Sequence, residues 1–236
     1  MMSNQSVWAI VPAAGIGTRM QADRPKQYLE LDGKPVLEYT LQRLADHPLI
    51  KGIMVAVAEN DPWWAQITVS AETPIHVVVG GAERADSVLN ALTALAKASN
   101  DDPWVLVHDA ARPCLRHQDI DLMLDSLATH PVGGILGIPV TDTVKRANTD
   151  HEITETVERQ GLWRASTPQM FRLNTLKNAL QMAKKQQLIV TDEASAIELA
   201  GLQAMMVEGH SDNIKITVPQ DLALARLFLQ QQREKL

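Results

Sequence analysis

Hydrophobic residues along the chain form short continuous runs, separated by longer segments in which they recur every three or four positions. The continuous runs have the length of strands and occupy residues 7–11, 53–57, 75–79, 104–107 and 133–139. Such runs are typical of strands buried on both faces of a parallel sheet. The segments with helical spacing are residues 36–44, 83–98 and 117–129. This alternation predicts a three-layer α/β domain with a mostly parallel sheet, whose ligands bind beyond the carboxyl ends of the strands.

The alternation changes after residue 140. Residues 143–146 and 152–158 are polar-rich segments with strand character, joined by turn-forming residues, and they predict a β-hairpin. A two-stranded ribbon is marginally stable in water, so the hairpin needs either a domain of its own or a partner subunit to pack on, and we favour a partner. Residues 163–169 are interpreted as the connection that returns the chain to the body of the domain.

The remaining predicted elements are short or lie near the end of the chain. Strands are predicted at residues 28–31, 205–207 and 214–217, and helices at 174–187, at 191–200 and from about 217–221 onward. Both of the last two helices begin with recognisable N-terminal signals, which are an N-cap with an acidic first turn at residues 191–194 and a Pro at the start of the final helix.

The composition is that of a globular protein and argues against several functional classes. The 236 residues are 45% hydrophobic and 21% charged, which favours a single domain over residues 1–236, with the hairpin as an arm at 140–161. A net charge of −6 argues against a broad nucleic-acid-binding face. No apolar run is long enough to span a membrane and no signal peptide is evident, so a cytoplasmic location is expected. The single cysteine, Cys114, is interpreted as structural.

A loop of small residues follows the first predicted strand. The strand stops at Pro12, and residues 13–18 have the sequence Ala-Ala-Gly-Ile-Gly-Thr, which lets a backbone approach a ligand closely and leaves its amides free to bind one. Three basic residues, Arg19, Arg24 and Lys26, come directly after this loop in an otherwise acidic chain. Free amides and positive charge together predict a site for a phosphate-bearing ligand.

Two familiar phosphate-binding motifs do not fit this loop. The dinucleotide-binding pattern G-x-G-x-x-G needs a third glycine where the chain has Met20, and the P-loop needs Gly-Lys-Ser/Thr where residues 20–22 are Met-Gln-Ala. A tight turn followed by ordinary surface charges would explain each basic residue singly. Because all three basic residues follow the same small-residue loop, we favour a binding site for an anion.

A second polar cluster follows the predicted strand at residues 104–107. His108 and Asp109 come directly after that strand, and Arg112 lies three residues beyond Asp109. Loops at the carboxyl ends of strands carry the binding residues in this fold class. Asp109 and Arg112 are therefore interpreted either as ligand contacts, or as an ion pair that holds the loop, or as both.

A series of motifs spans nearly the whole chain, and in order they read PAAGIGTRM, PKQYL, GGAERADSV, VHDAARPC, PVTDTVKR, TVERQGLW, TPQ, TDEASA and DNIKIT. Together these motifs closely resemble those of the 2-C-methyl-D-erythritol 4-phosphate cytidylyltransferases. The resemblance implies transfer of CMP from CTP to a sugar-alcohol phosphate with release of pyrophosphate. It also implies a Rossmann-like nucleotidyltransferase fold of the glycosyltransferase-A type, Mg²⁺ bound mainly through the CTP phosphates, and a homodimer whose hairpin arm reaches the neighbouring subunit.

The resemblance also implies roles for individual residues. The loop that cradles CTP would comprise Ala13, Ala14, Gly15 and Gly17, and the cytosine pocket would include Gly81 and Ser87. The cations beside the transferring phosphate, expected to be catalytic, would be Arg19 and Lys26. The polyol phosphate site would be lined by Asp109, Arg112, Thr167 and Lys215, joined by Thr143 and Arg159 from the arm of the partner. For Asp109 a contact with Mg²⁺ is a further possibility, because hard cations bind carboxylate oxygens.

Two other functions stay open at the level of the sequence. A ribitol 5-phosphate cytidylyltransferase would share the nucleotide half of the site and differ in the polyol that it accepts. A nucleotide-sensing module without catalytic activity could use the same scaffold, because a fold alone does not prove a chemistry. The presence of both Arg19 and Lys26 argues against the sensing module.

Overall fold

A computed structural model describes residues 7–15, 24–99 and 101–234. The strands are β1 (Val7–Pro12), β2 (Glu30–Leu31), β3 (Lys34–Pro35), β4 (Ile50–Val57), β5 (Ile75–Val79), β6 (Trp104–Val107), β7 (Gly133–Pro139), β8 (Val144–Ala147), β9 (Ile153–Val157), β10 (Trp163–Arg172) and β11 (Met205–Glu208). The α-helices are α1 (Val36–Ala45), α2 (Arg84–Ala98), α3 (His117–Leu127), α4 (Leu173–Lys185), α5 (Glu193–Leu199) and α6 (Gln220–Arg233). Short 3₁₀-helices lie at Lys26–Tyr28 and Trp64–Gln66.

A seven-stranded sheet runs through the described part of the chain in the order β11-β7-β10-β6-β1-β4-β5. β1 pairs in parallel with β4 on one side and with β6 on the other, and β5 extends the sheet in parallel with β4. The strand that runs against this direction is β10, which is antiparallel to both of its neighbours, β6 and β7. The prediction of a mostly parallel sheet is therefore confirmed.

Helices cover both faces of this sheet. On one face, buried leucines of α1 and α3 pack against the alternate residues of β1, β4 and β6 that point toward them. On the other face, α2, α4 and α5 pack against the remaining residues of the same strands and against β10. Helix α6 closes a smaller apolar cluster at one end. The predicted three-layer α/β fold is confirmed.

Three sequence interpretations are corrected by the structure. Residues 163–169, interpreted as a connection, belong to the ten-residue strand β10. Residues 214–217, predicted to be a strand, pair with no strand, because the N–H groups of Ile214 and Ile216 bond to the carbonyls of Asp212 and Ala111. Within residues 28–31, only the last two form a strand, and the turn of Lys26–Tyr28 precedes them.

The predicted β-hairpin is present as β8 and β9, which pair antiparallel with each other and form a separate two-stranded sheet. Ile153 on this hairpin is 66% exposed, although it is a large apolar residue. The extent of the arm at 140–161, its contact with a partner subunit and the single-domain assignment stay predictions. Among the described helices, none combines the length and the apolar character needed to cross a lipid bilayer.

Candidate active site

A cleft lies beyond the carboxyl ends of β1, β5 and β6. Its walls are formed by Pro12, Ala13, Ala14, Gly15, Lys26, Gln27, Gly81, Ala82, Glu83, Arg84, Ser87, Asp109, Ala110, Ala111 and Lys215, and we call this set the active-site cleft. After β1 the chain adds β4 and β5 on one side of that strand, and it later adds β6 on the other side. The cleft therefore lies where the strand order reverses. Open α/β sheets bind their ligands at this position.

The small-residue loop after β1 forms one wall of the cleft. The N–H of Ala13 donates to the carbonyl of Ala56 at 2.7 Å, which continues the pairing of β1 with β4. Of the predicted nucleotide contacts, Ala13, Ala14 and Gly15 line the cleft together with Lys26. Gly17 and Arg19 lie outside the described residues.

The turn after β5 forms a second wall, against the first. A Cβ atom added to Gly80 would lie 2.4 Å from the Cβ of Ala14, so only glycine permits the two loops to approach this closely. The hydroxyl of Ser87 accepts a hydrogen bond from the N–H of Gly81 at 3.0 Å and donates to the carbonyl of Glu83 at 3.2 Å. Ser87 therefore holds the turn at Gly81 in shape, and the prediction that the two residues form a cytosine pocket stays a prediction.

Asp109 lies at the centre of a charged cluster at the floor of the cleft. One oxygen of its carboxylate contacts Arg84 Nε at 3.1 Å, and the other contacts Arg112 Nε at 3.2 Å and Lys215 Nζ at 3.0 Å. Burial by itself would raise the pKa of Asp109, but the three cations hold that pKa well below its usual range. Asp109 therefore forms the predicted ion pair with Arg112 and also lines the cleft, while its contact with a ligand stays a prediction.

Arg84 connects this cluster to helix α5. Its two terminal nitrogens bond to the two carboxylate oxygens of Glu193 at 2.7 and 3.0 Å, while its Nε faces Asp109. Burial would lower the pKa of Arg84, and the two carboxylates outweigh burial and raise it. Glu193 is 1% exposed and the Arg84 side chain is 29% exposed, so this is a partly buried, bidentate ion pair that fixes the plane of the guanidinium group.

Hydrogen bonds between uncharged groups hold the backbone of Asp109 in place. The hydroxyl of Thr167 accepts from the N–H of Asp109 at 3.0 Å and lies 3.1 Å from Nδ1 of His108. Nε2 of His108 lies 3.0 Å from the carbonyl of Arg112, which assigns the proton to Nε2 and makes Nδ1 the acceptor for Thr167. Burial lowers the pKa of His108 to about 4, so this imidazole is neutral near pH 7.

The segment that carries Lys215 is tied to the same cluster. Arg112 Nη1 donates to the carbonyl of Asn213 at 2.8 Å, and Asn213 Nδ2 donates to the carbonyl of Thr167 at 2.7 Å. The structure therefore brings together four of the predicted polyol phosphate residues, Asp109, Arg112, Thr167 and Lys215, around a second small hollow next to the cleft.

Thr143 and Arg159 do not join this group within one chain. Both line a shallow hollow on the hairpin, beside Val157, and Arg159 donates to the carbonyl of Thr141. The resemblance assigns these two residues to the site of the partner subunit, and that assignment stays a prediction.

Sequence reasoning missed four residues that organise the site, namely Gln27, Arg84, Glu193 and Asn213. Their contacts join positions 12 to 109 residues apart in the chain, so no local spacing indicates them. All four lie within the motifs that carry the family resemblance, in the order PKQYL, GGAERADSV, TDEASA and DNIKIT. Their presence in these motifs was the available signal, but it does not show what each side chain contacts.

A built metal site is absent from the described part of the chain, where no three His, Cys, Asp or Glu side chains are grouped to hold an ion. Asp109, the one candidate ligand, already contacts three cations. A protein-held Mg²⁺ at Asp109 therefore does not fit the donor set, because a dication would be placed among the like charges of Arg84, Arg112 and Lys215.

Comparisons with known proteins identify the family of this chain. The family model described as 2-C-methyl-D-erythritol 4-phosphate cytidylyltransferase matches residues 7–231. Two proteins of that name, from Vibrio vulnificus and Pseudomonas putida, are 50% and 52% identical to this chain over 233 and 220 residues, and the matches cover 99% and 93% of this chain and 98% and 94% of the relatives. The crystal structure of the Francisella tularensis protein of that name superimposes with a TM-score of 0.81 at 37% identity, covering 94% of this chain and 99% of the other. This chain belongs to the 2-C-methyl-D-erythritol 4-phosphate cytidylyltransferase family.

Proposed function

We propose that this protein transfers CMP from CTP to 2-C-methyl-D-erythritol 4-phosphate, giving 4-diphosphocytidyl-2-C-methyl-D-erythritol and pyrophosphate. The observation that carries the proposal is the meeting, in one cleft, of the small-residue loop at 13–15 with the cations Lys26 and Lys215. Backbone amides and lysines together are suited to a polyphosphate. Membership of the family supports CTP and methylerythritol phosphate as the two substrates.

The proposed reaction is an in-line substitution at the α-phosphorus of CTP. An oxygen of the acceptor phosphate forms a bond to the α-phosphorus, the bond from that phosphorus to the bridging oxygen of the β-phosphate breaks, and pyrophosphate leaves with the electron pair. No general base is required, since a phosphate monoester is already an anion near neutral pH. The neutral imidazole of His108 and the paired carboxylate of Asp109 accordingly have no proton to move.

The protein contributes positive charge and alignment to this step. Two polyanions must approach each other, so electrostatic repulsion is the main obstacle and preorganised cations are the main means of reducing it. Lys26 would act on the triphosphate side, together with Arg19. Lys215 and Arg112 would hold the acceptor phosphate, because the cluster around Asp109 has three cations against two carboxylates and so retains one net positive charge.

Mg²⁺ and a dimer complete the proposal. We propose that Mg²⁺ arrives on the phosphates of CTP, in keeping with the reluctance of this ion to shed its waters for an all-protein cage. When bound there, it supplies further charge neutralisation. The hairpin arm of a second subunit would bring Thr143 and Arg159 to the acceptor, in keeping with the exposure of this small hairpin. The cytoplasmic location remains a prediction from the sequence.

The decisive experiment measures pyrophosphate release from CTP with a panel of polyol phosphates. We expect release with methylerythritol 4-phosphate. Release with ribitol 5-phosphate alone would instead assign that acceptor. Binding of CTP without release for any acceptor would favour a nucleotide-sensing module.

A single substitution tests the proposed role of Lys26 in the cleft. Lys26→Ala is expected to lower kcat on the order of 10²-fold, as for the loss of one donor that stabilises the transition state. Lys51→Ala serves as the matched control, since Lys51 is exposed at the start of β4 and lies outside the cleft. Near-normal kcat in Lys26→Ala would contradict the proposed role of Lys26.

A further inference from the structure

The side chain of Gln27 is buried directly behind the nucleotide loop. It is 3% exposed, and its Nε2 donates to the carbonyl of Ala13 at 2.6 Å and to the carbonyl of Gly15 at 2.9 Å. A side-chain amide has two N–H hydrogens on that nitrogen, so both are used on this one loop. A single side chain therefore bridges the two peptide carbonyls on either side of Ala14.

This bridge determines which way the loop presents its amides. In a trans peptide the C=O and the following N–H point in opposite directions. Because the carbonyl of Ala13 is held toward Gln27, the N–H of Ala14 is turned away from Gln27. That N–H has no hydrogen-bond partner among the described residues, and Ala14 itself lines the cleft. The donor is thus left for a ligand, and a backbone N–H is suited to an anionic oxygen.

Gln27 is itself rigidly anchored. The next residue, Tyr28, is 2% exposed, donates its hydroxyl hydrogen to Asp61 Oδ2 at 2.8 Å and stacks on the ring of Trp63 at a centroid distance of 5.8 Å. The preceding residue, Lys26, lines the cleft. Three consecutive residues of the Lys26–Tyr28 turn therefore connect the body of the protein, the nucleotide loop and a cleft cation.

We propose that Gln27 is a positioning residue that holds the loop at 13–15 in its CTP-binding form and in register with Lys26. The inference rests on the proposed function, because it assumes that CTP is the ligand of this loop. Gln27 acts through the backbone of Ala13 and Gly15. Its loss should therefore weaken the binding of CTP and leave the binding of the polyol phosphate unchanged.

The test compares Gln27→Met with the wild-type enzyme. Methionine has a similar length and is apolar, so it fills the space of glutamine and removes both donors. We expect KM for CTP to rise about tenfold, the loss that corresponds to one or two ordinary hydrogen bonds, with KM for methylerythritol phosphate within twofold of wild type. Calorimetric titration with CTP should show the same change in affinity. Gln42→Met is the matched control, since Gln42 bonds to Asp46 and Ser70 outside the cleft.

Several outcomes would overturn the inference. One is a folded Gln27→Met variant whose KM for CTP is within twofold of wild type, and another is an equal rise in both KM values, which would indicate general loosening of the fold. If Gln27→Met does not fold, Gln27→Glu replaces it, because a buried carboxyl group that faces two carbonyls is held protonated and has one O–H donor in place of two N–H donors. Failure of both variants to fold would assign Gln27 to stability alone. Absence of CTP binding by the wild-type protein would instead contradict the proposed function.

Discussion

His108 is a buried polar residue whose chemistry is set by its two neighbours. Its ring accepts from Thr167 and donates to the carbonyl of Arg112, so the imidazole links β10 to the loop that carries Asp109. Full burial disfavours the imidazolium form, and the pKa of about 4 follows from that cost. At this scale the residue supports the site as a neutral hydrogen-bonding group and has no role in proton transfer.

The lowered pKa of His108 predicts a pH-dependent stability. Because the folded state binds this proton only below about pH 4 and the unfolded state binds it below 6.5, the unfolded chain holds more protons in that interval. The free energy of unfolding should therefore be highest above pH 6.5 and decrease as the pH falls toward 4, by about 3 kcal/mol from this residue.

Urea unfolding of wild type and His108→Gln between pH 4 and 7 measures this effect. Glutamine can accept from Thr167 and donate to Arg112, so it replaces both hydrogen bonds without a titrating group. The variant should lose most of the decrease in unfolding free energy over this interval. Parallel pH profiles for the two proteins would refute the assignment of the effect to His108.

At the scale of elements, the spacing of neighbouring strands depends on where glycines face large side chains. Trp8 in β1 lies opposite Gly52 in the parallel neighbour β4, and its ring occupies the space that a side chain at position 52 would need. A Cβ atom on Gly52 would be 2.3 Å from the indole ring. Strand β1, which leads into the nucleotide loop, therefore packs against β4 through the ring of Trp8, which lies over Gly52.

Gly52→Ala is expected to lower the free energy of unfolding by about 1–3 kcal/mol, because the added methyl group forces the indole ring or the strands to move. In a Trp8→Leu background, Gly52→Ala should lower the free energy of unfolding by clearly less, because the indole ring that collides with the added methyl group is absent. Urea denaturation of the four proteins gives this double-mutant cycle. Equal costs in the two backgrounds would show that the ring is not the cause.

At the scale of the whole molecule, the predicted acceptor residues fall into two groups. Asp109, Arg112, Thr167 and Lys215 meet around the small hollow beside the cleft, whereas Thr143 and Arg159 line a hollow at the separate hairpin. If all six serve one acceptor site, the hairpin must come from another subunit. A symmetric dimer satisfies this requirement, because a two-fold axis gives each cleft the arm of its partner.

Mixing two inactive variants tests this arrangement. In a dimer of one Lys26→Ala chain and one Arg159→Ala chain, one of the two sites combines an intact cleft with an intact arm. Random pairing makes about half of the dimers mixed, so co-expression in equal amounts should restore about one quarter of wild-type activity. Pyrophosphate release is also measured for purified heterodimers of differently tagged chains, which should have about half of wild-type activity because one of their two sites is intact. Heterodimers no more active than either variant alone would contradict a shared site.

Much of this organisation follows from local patterns. The apolar runs that became β1, β4, β6 and β7 are continuous because those strands are covered by helices on both faces, so burial is visible in the sequence itself. The run of β5 is an exception, since this strand lies at the edge of the sheet and Val77 and Val79 are 46% and 55% exposed. Strand β10 has no such run, since residues 164–169 are mostly polar and include Pro168, and only pairing with β6 and β7 makes it a strand. Residues 214–217 show the opposite error, since their apolar residues predicted a strand that does not form. Ile214 and Ile216 pack beneath α6 instead.

The sequence by itself determined the α/β layering, the hairpin, the family and the loops at which ligand-binding residues lie. Hydrophobic periodicity and motif spacing are properties of neighbouring positions, so they are readable without a fold. Only the tertiary structure decided that Gln27 braces the loop after β1 and that Arg84 joins Asp109 to Glu193. These contacts form between side chains from distant segments that meet at the carboxyl ends of the strands. Burial and charge select the partners there, and no local sequence pattern encodes either of them.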